Sequence, residues 1–174
     1  RRRIAAPSST LFIFSPGAHG NDIHAPPPTP DAALNKQTKS GLATANKRWC
    51  EVDYLTFESK AAKNVHVLGD SLQIAPGMPK SGHMANQHGK SCAAAVVALL
   101  SNKVVNNLPI YNNTCYSYVS ENEAIHVASV HRYDAEKKTM TIVPGSGGVS
   151  AARNAIEGAY AMAWANNIWS DTLA

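Results

Sequence analysis

Asn64-Val65-His66-Val67-Leu68-Gly69-Asp70 is the stretch on which the fold turns. Val65, Val67 and Leu68 make a β-branched, mostly apolar run that Gly-Asp ends, the profile of a strand buried in an α/β sheet. Asp70 then stands at the carboxyl end of that strand, where open α/β sheets bind their ligands. After a loop containing Pro76, Gly77 and Pro79, Ser81 is the predicted N-cap of a helix from about Gly82 to Leu100. Ala93, Ala94, Ala95 and Ala98 suit that helix to close packing on a sheet, with Val96, Val97, Leu99 and Leu100 beside them. Its N-terminus is expected to face the strand end that carries Asp70.

Upstream, Leu11-Phe12-Ile13-Phe14 reads as one short strand, and Ala25-Pro26-Pro27-Pro28-Thr29-Pro30 forces an extended connector. A short helix is expected within Asp31 to Ala45, stopped by Gly41. Downstream, Thr114 to Val119, Ala124 to Tyr133 and Lys138 to Val143 have strand-like content, and Asp134-Ala135-Glu136-Lys137 is a connection of hairpin length. Pro144 to Gly148 reads as a loop. Ala151 to about Trp169 reads as a helix, with Ala155, Ala159, Met162, Ala163 and Asn166 near one face. The economical architecture is an antiparallel sheet backed by a C-terminal helix.

The chain has 174 residues, 44 % of them hydrophobic and 16 % charged, with a formal charge of +4. That composition suits a folded domain with a real core. Arg1, Arg2 and Arg3 supply most of the excess charge and the other basic residues are scattered, so no nucleic-acid surface follows. The longest apolar run, Cys92 to Leu100, is about half of what a membrane span needs. Leu11 to Phe14 is too short for the apolar core of a secretory signal.

Gly69-Asp70 before a loop and a helix is a sensible ligand site, since the carboxylate can accept sugar hydroxyl hydrogen bonds and the helix N-terminus favours an electron-rich group. By itself such a dipeptide is more often structural. Lys80 opposes the dipole of the helix it precedes, which a nearby negative group would relieve; the plainer reading is a solvated loop lysine. Three cysteines cannot all pair within the chain. Cys50, beside Trp49 in a non-helical segment, is expected to be accessible, whereas Cys92 and Cys115 read as structural. His83 and His88 lie roughly 140° apart around a helix, and no HExxH or CxxC occurs, so no metal site is expected. GxGxxG, GxSxG and a Walker loop are likewise absent from the sequence.

Taken together, one ordered set of motifs is far more specific: Trp49-Cys50-Glu51-Val52-Asp53, Thr56-Phe57-Glu58-Ser59, His66-Val67-Leu68-Gly69-Asp70, Met78-Pro79-Lys80-Ser81-Gly82, Ala93 to Leu100, Asn113-Thr114-Cys115-Tyr116-Ser117 and Trp164-Ala165-Asn166-Asn167-Ile168. From Asn21 to Ala174 the chain resembles the C-terminal part of the flavoprotein subunit of flavocytochrome c sulfide dehydrogenase, an FAD enzyme of the disulfide-reductase type. The fold class this implies is mixed, α+β and α/β: the remnant of an FAD-binding α/β domain followed by an antiparallel β-sheet with a C-terminal helix. The corresponding divisions are 1–20 unmatched, 21–101 the C-terminal part of the FAD-binding domain, and 102–174 the flavin and cytochrome interface domain.

The resemblance also implies roles. Cys50 is one half of a redox-active disulfide, Gly69 and Asp70 meet the flavin ribityl chain, and Lys80, Ser81 and Gly82 open the helix that points at the flavin pyrimidine edge. Trp164 lies near the flavin. Sulfide is the implied substrate, a c-type cytochrome the implied partner and electron acceptor, and the periplasm the implied location, although no signal peptide is seen in this chain. The glycine loop and the second redox cysteine of the family are not found here, so the expectation is a C-terminal piece that needs an N-terminal FAD-binding partner and neither holds FAD nor oxidises sulfide alone. A non-catalytic docking module for a cytochrome or sister subunit is the alternative from another class. A sulfide:quinone reductase-like protein ranks below it, since the C-terminal helix offers only a modest membrane face.

Overall fold

A computed structural model of the chain describes residues 11–15 and 40–173. The chain divides into two compact units, Arg1–Gln73 with His88–Asn107, and Ile74–Gln87 with Leu108–Ala174. Most of the helix expected between Asp31 and Ala45, and the proline-rich connector, lie outside the described residues. Ser40 and Gly41 form a turn rather than helix, with Gly41 left-handed at φ 75°.

In the first unit β1 (Leu11–Ser15) pairs in parallel with β2 (Val65–Gly69), from Leu11 opposite Val65 to Ser15 opposite Gly69. Val67 and Leu68 are buried, as their apolar run requires. Phe57 is fully buried in a left-handed conformation, φ 60°, which costs a non-glycine residue about 1–2 kcal/mol. Local bonds hold it there: the Phe57 N–H donates to the Asp53 carbonyl at 2.6 Å, and the Phe57 carbonyl accepts from Val67 N–H at 3.0 Å.

α1 (Gly82–Leu100) runs from the second unit into the first and has the predicted bounds. Its buried residues differ from those expected. Met84, Ala85, His88, Cys92 and Ala95 form the covered stripe, whereas Ala93, Ala94, Val97, Leu99 and Leu100 are exposed. The 3.6-residue period explains the stripe: His88, Cys92 and Ala95 recur on one side. His88 packs on Phe57 with ring centroids 4.8 Å apart, and the Cys92 thiol donates to the Thr56 carbonyl at 3.4 Å.

The second unit is an antiparallel sheet of β3 (Ile110–Tyr118), β4 (Ala124–Asp134), β5 (Thr139–Ile142) and β6 (Gly148–Val149), in the order β3-β4-β5 with β6 also on β4. The hairpin at 134–137 is as expected; Asp134 Oδ1 accepts from the Glu136 and Lys137 N–H groups. The loop expected at Pro144 to Gly148 ends in β6, where Gly148 and Val149 pair with Ala128 and Val127.

α2 (Ala155–Leu173) starts four residues later than expected because Asn154 caps it, its Oδ1 accepting from Glu157 N–H at 2.9 Å. The face predicted to pack is the exposed one: Ala155, Ala159, Met162, Ala163 and Asn166 all face solvent. Gly158 and Ala161 are buried instead, with Trp164, Ala165 and Ile168 half-buried along the same side. Glycine is required at 158, since a Cβ there would fall inside contact distance of the Asn122 carbonyl. No described helix is long and apolar enough to cross a membrane.

Candidate functional site

Three successive residues of β3 each hold one side chain from the segment that opens α1. Asn113 Oδ1 accepts a 2.6 Å bond from the Ser81 hydroxyl, whose oxygen also accepts from Met84 N–H at 3.0 Å and so caps the helix as predicted. Asn112 exchanges two bonds with the Gln87 amide: its N–H donates to Oε1 at 3.0 Å and its carbonyl accepts from Nε2. Thr114 N–H donates to His83 Nδ1 at 3.1 Å. Ser81 and Asn113 are buried, so their bond is made away from water. These uses of Asn112 and Asn113 explain why β3 begins at Ile110, ahead of the predicted start, despite the poor strand propensity of asparagine.

An aromatic cluster grows from this clasp. The Trp164 indole meets the His83 ring edge-on, centroids 5.7 Å apart at 76°, and the Tyr116 ring at 6.2 Å. Tyr116 in turn lies 6.0 Å from the His126 ring. Burial pushes the Tyr116 phenol up, with the Glu157 and Tyr160 charges adding to it. Trp164 Nε1 is buried with no hydrogen-bond partner among the described residues. Such a donor costs about 1–3 kcal/mol unless something accepts from it.

Ser81, Gly82 and Trp164 are therefore brought together through His83. Gly82 is exposed in the first turn of α1, Lys80 is half-buried just before it, and no acidic side chain occupies that turn. In the first unit, Cys50 and Gly69-Asp70 are brought together by backbone pairing. Cys50 N–H donates to the Ser71 carbonyl at 3.0 Å and the Cys50 carbonyl accepts from Gln73 N–H at 2.8 Å, directly after Gly69, left-handed at φ 65°, and the half-buried Asp70. Cys50 is fully buried, contrary to the expected accessibility, because this pairing draws it into the core with Leu72. No disulfide joins the three cysteines.

Ser150, His126 and Glu157 also meet. The Ser150 hydroxyl donates to Glu157 Oε2, and His126 Nδ1 lies 3.0 Å from both the carboxylate and Ser150 Oγ. These are the residue types of a hydrolase triad, but both partners crowd the same ring nitrogen, whereas the nucleophile and the carboxylate must bind opposite ones. The cluster ties α2 to β4 and holds the Glu157 carboxyl below its ordinary range, through Ser150 first and His126 second. A shallow cleft of about 160 Å³ is lined by His126 and Ser150 of this cluster together with Cys115, Ile125, Val127 and Val149, and is too small for a tricyclic ring system.

His83 and Tyr116 had no local signature as site residues. They meet Trp164 across 81 and 48 positions of sequence, and His83 stood out only as one of two helical histidines unsuited to a shared metal.

Residues 107–173 match the family model described as "Flavocytochrome c sulphide dehydrogenase, flavin-binding". The matched stretch contains β3 to β6, α2 and Trp164; the other predicted site residues precede it. Sheet, aromatic cluster and match together define the class of this segment, a flavin-binding domain. The match covers this segment and agrees with the resemblance of the motifs to the flavoprotein subunit of flavocytochrome c sulphide dehydrogenase, and FAD is the consistent cofactor. The residues present fit a flavin ring: an unpartnered indole N–H, flanking aromatic rings, and a helix N-terminus without an acidic side chain.

Proposed function

We propose that this chain supplies the flavin-contacting C-terminal part of an FAD-dependent sulfide-oxidising flavoprotein that delivers electrons to a c-type cytochrome in the periplasm. The observation that carries the reading is the buried, unpartnered Nε1 of Trp164 within the segment matching a flavin-binding domain. Bound FAD supplies a two-electron acceptor to such chemistry. Trp164 would donate from Nε1 to an acceptor on the ring system, while Gly82 leaves the first turn of α1 open to its electron-rich edge and Lys80 adds positive charge beside it. Asp70 would accept from ribityl hydroxyls. Cys50 keeps the role of reacting thiol only if its burial is relieved, so its chemistry depends on opening of the 50–73 pairing.

Titrating FAD into the purified chain mixed with an FAD-binding α/β domain tests this, the chain alone being expected to leave the flavin spectrum unshifted. The expected result is a protein-shifted flavin absorbance that Trp164→Phe weakens about tenfold, the scale of one lost hydrogen bond to a buried donor. Absence of any shift, with an FAD-binding α/β domain supplied as well as without it, would overturn the proposal.

The docking reading is favoured by α2, which exposes Ile156, Tyr160, Met162, Trp169 and Leu173. Capture of a c-type cytochrome with equal strength by the chain and by Cys50→Ser, with no flavin binding in either, would favour that reading over the first.

A further inference from the structure

We infer that His83 is the positioning residue for Trp164: it fixes the indole relative to β3 and so sets how well the flavin ring is held. This rests on the flavin reading above. His83 makes two directional contacts at once, accepting from Thr114 N–H at Nδ1 and presenting its ring edge-on to the indole. Because Nδ1 faces a donor, it carries no proton, and a neutral ring then has its N–H on Nε2. The ring plane is thus tied to the backbone of β3. Trp164 has no hydrogen bond among the described residues to hold it, so its orientation depends on the rings around it. Tyr116, the second of these, is also on β3, and the register Tyr116 opposite His126 fixes its place on the sheet. His83 is the link that carries the position of β3 to the indole from the helix side.

The two contacts separate by substitution. His83→Asn keeps an acceptor near the Nδ1 position and removes the ring edge; His83→Phe keeps a ring and removes the acceptor. Both are made in the full chain carrying Trp49→Phe and Trp169→Phe, so that emission reports Trp164 alone, and melting curves register any loss of fold. The inference expects His83→Asn to melt close to its parent while its Trp164 emission and near-ultraviolet circular dichroism change. It also expects quenching by FAD, titrated to millimolar concentration with a tryptophan-free FAD-binding α/β domain supplied, to need about two- to tenfold more FAD, the effect of one lost aromatic pair. His83→Phe is expected to lower the melting temperature and move the emission as well. If emission and near-ultraviolet signal are the same in His83→Asn as in the parent, the inference is overturned, whatever FAD does. If emission moves but FAD quenches none of the proteins, the seating of Trp164 by His83 stands and the flavin reading falls.

Discussion

Cys50 and Trp164, each at the centre of the candidate chemistry of its own unit, are held in opposite ways. Cys50 is locked by main-chain pairing to Ser71 and Gln73 and is wholly out of solvent. The main chain of Trp164 lies within α2, but its indole has no hydrogen bond among the described residues and is set by the rings of His83, tied by a hydrogen bond to β3, and of Tyr116 on β3 itself. A backbone lock is made by groups that every non-proline residue carries, and it resists movement. A side-chain seat is open to single replacements and leaves a polar atom available. On the proposed reading, the difference teaches that the second unit would meet a flavin as it stands, whereas the first would have to open before the Cys50 thiol could react.

Thiol labelling gives this contrast its largest expected effect. Cys92, pushed up to about 12 by burial, is thiolate in only about one molecule in ten thousand at pH 8, and Cys50 is equally buried. Mass spectrometry after brief alkylation is therefore expected to find the half-buried Cys115 of the second unit modified orders of magnitude ahead of both. Cys50 reacting as fast as Cys115 would break the comparison, since its lock would then be open in solution.

Gly158→Ala comes next. The added methyl meets the Asn122 backbone, which no side-chain rotation relieves, so a loss of about 3 kcal/mol is expected in denaturant unfolding. Ser81→Ala is smaller, about 1–2 kcal/mol, because it removes the cap on α1 and leaves the buried Asn113 amide without its donor. Near-wild-type stability for this variant would show that Gln87 and His83 suffice to hold the helix start.

The subtlest effect is a pH dependence. His131 is fully buried, donates to or accepts from Ser129 only through Nε2, and its pKa is lowered by burial. Above the ordinary histidine value of 6.5 both folded and unfolded chains hold it neutral, and the native state keeps its full advantage. As pH falls below 6.5 the unfolded chain takes up a proton that the folded chain refuses, so stability declines until the native imidazole also titrates. Urea midpoints measured between pH 7.5 and 5.5 are expected to fall more steeply for the wild type than for His131→Gln; equal slopes would remove His131 from the account.

The pattern of what could be read in advance follows from range. β2 and α1 were legible because their signals are local: a β-branched run closed by a glycine that turns left-handed, and a serine three residues before the N–H it caps. The 134–137 hairpin was legible for the same reason. The packing face of α2 was not, since alanine is found on either side of a helix and the deciding contact, Gly158 against Asn122, crosses 36 positions. The motifs pointed to Ser81 and Trp164; His83 and Tyr116, whose rings meet Trp164, were given no role by them. A residue that seats another leaves its mark on distance and ring angle, and sequence spacing does not carry those. Cys50 was misjudged as accessible because non-helical segments usually run over the surface; here the segment pairs inward with 71–73.

The Gln87 amide on Asn112 has a consequence for solubility. β3 lies at the edge of its sheet, and an edge offers its peptide groups to any passing strand. Gln87 answers both groups of one residue as a neighbouring strand would, and His83 takes the next outward N–H, at Thr114. An invading chain would find the first rungs of the ladder already filled by helix side chains. The helix opening is thus also an end-stop, and it guards the margin of the sheet against fibril-like growth.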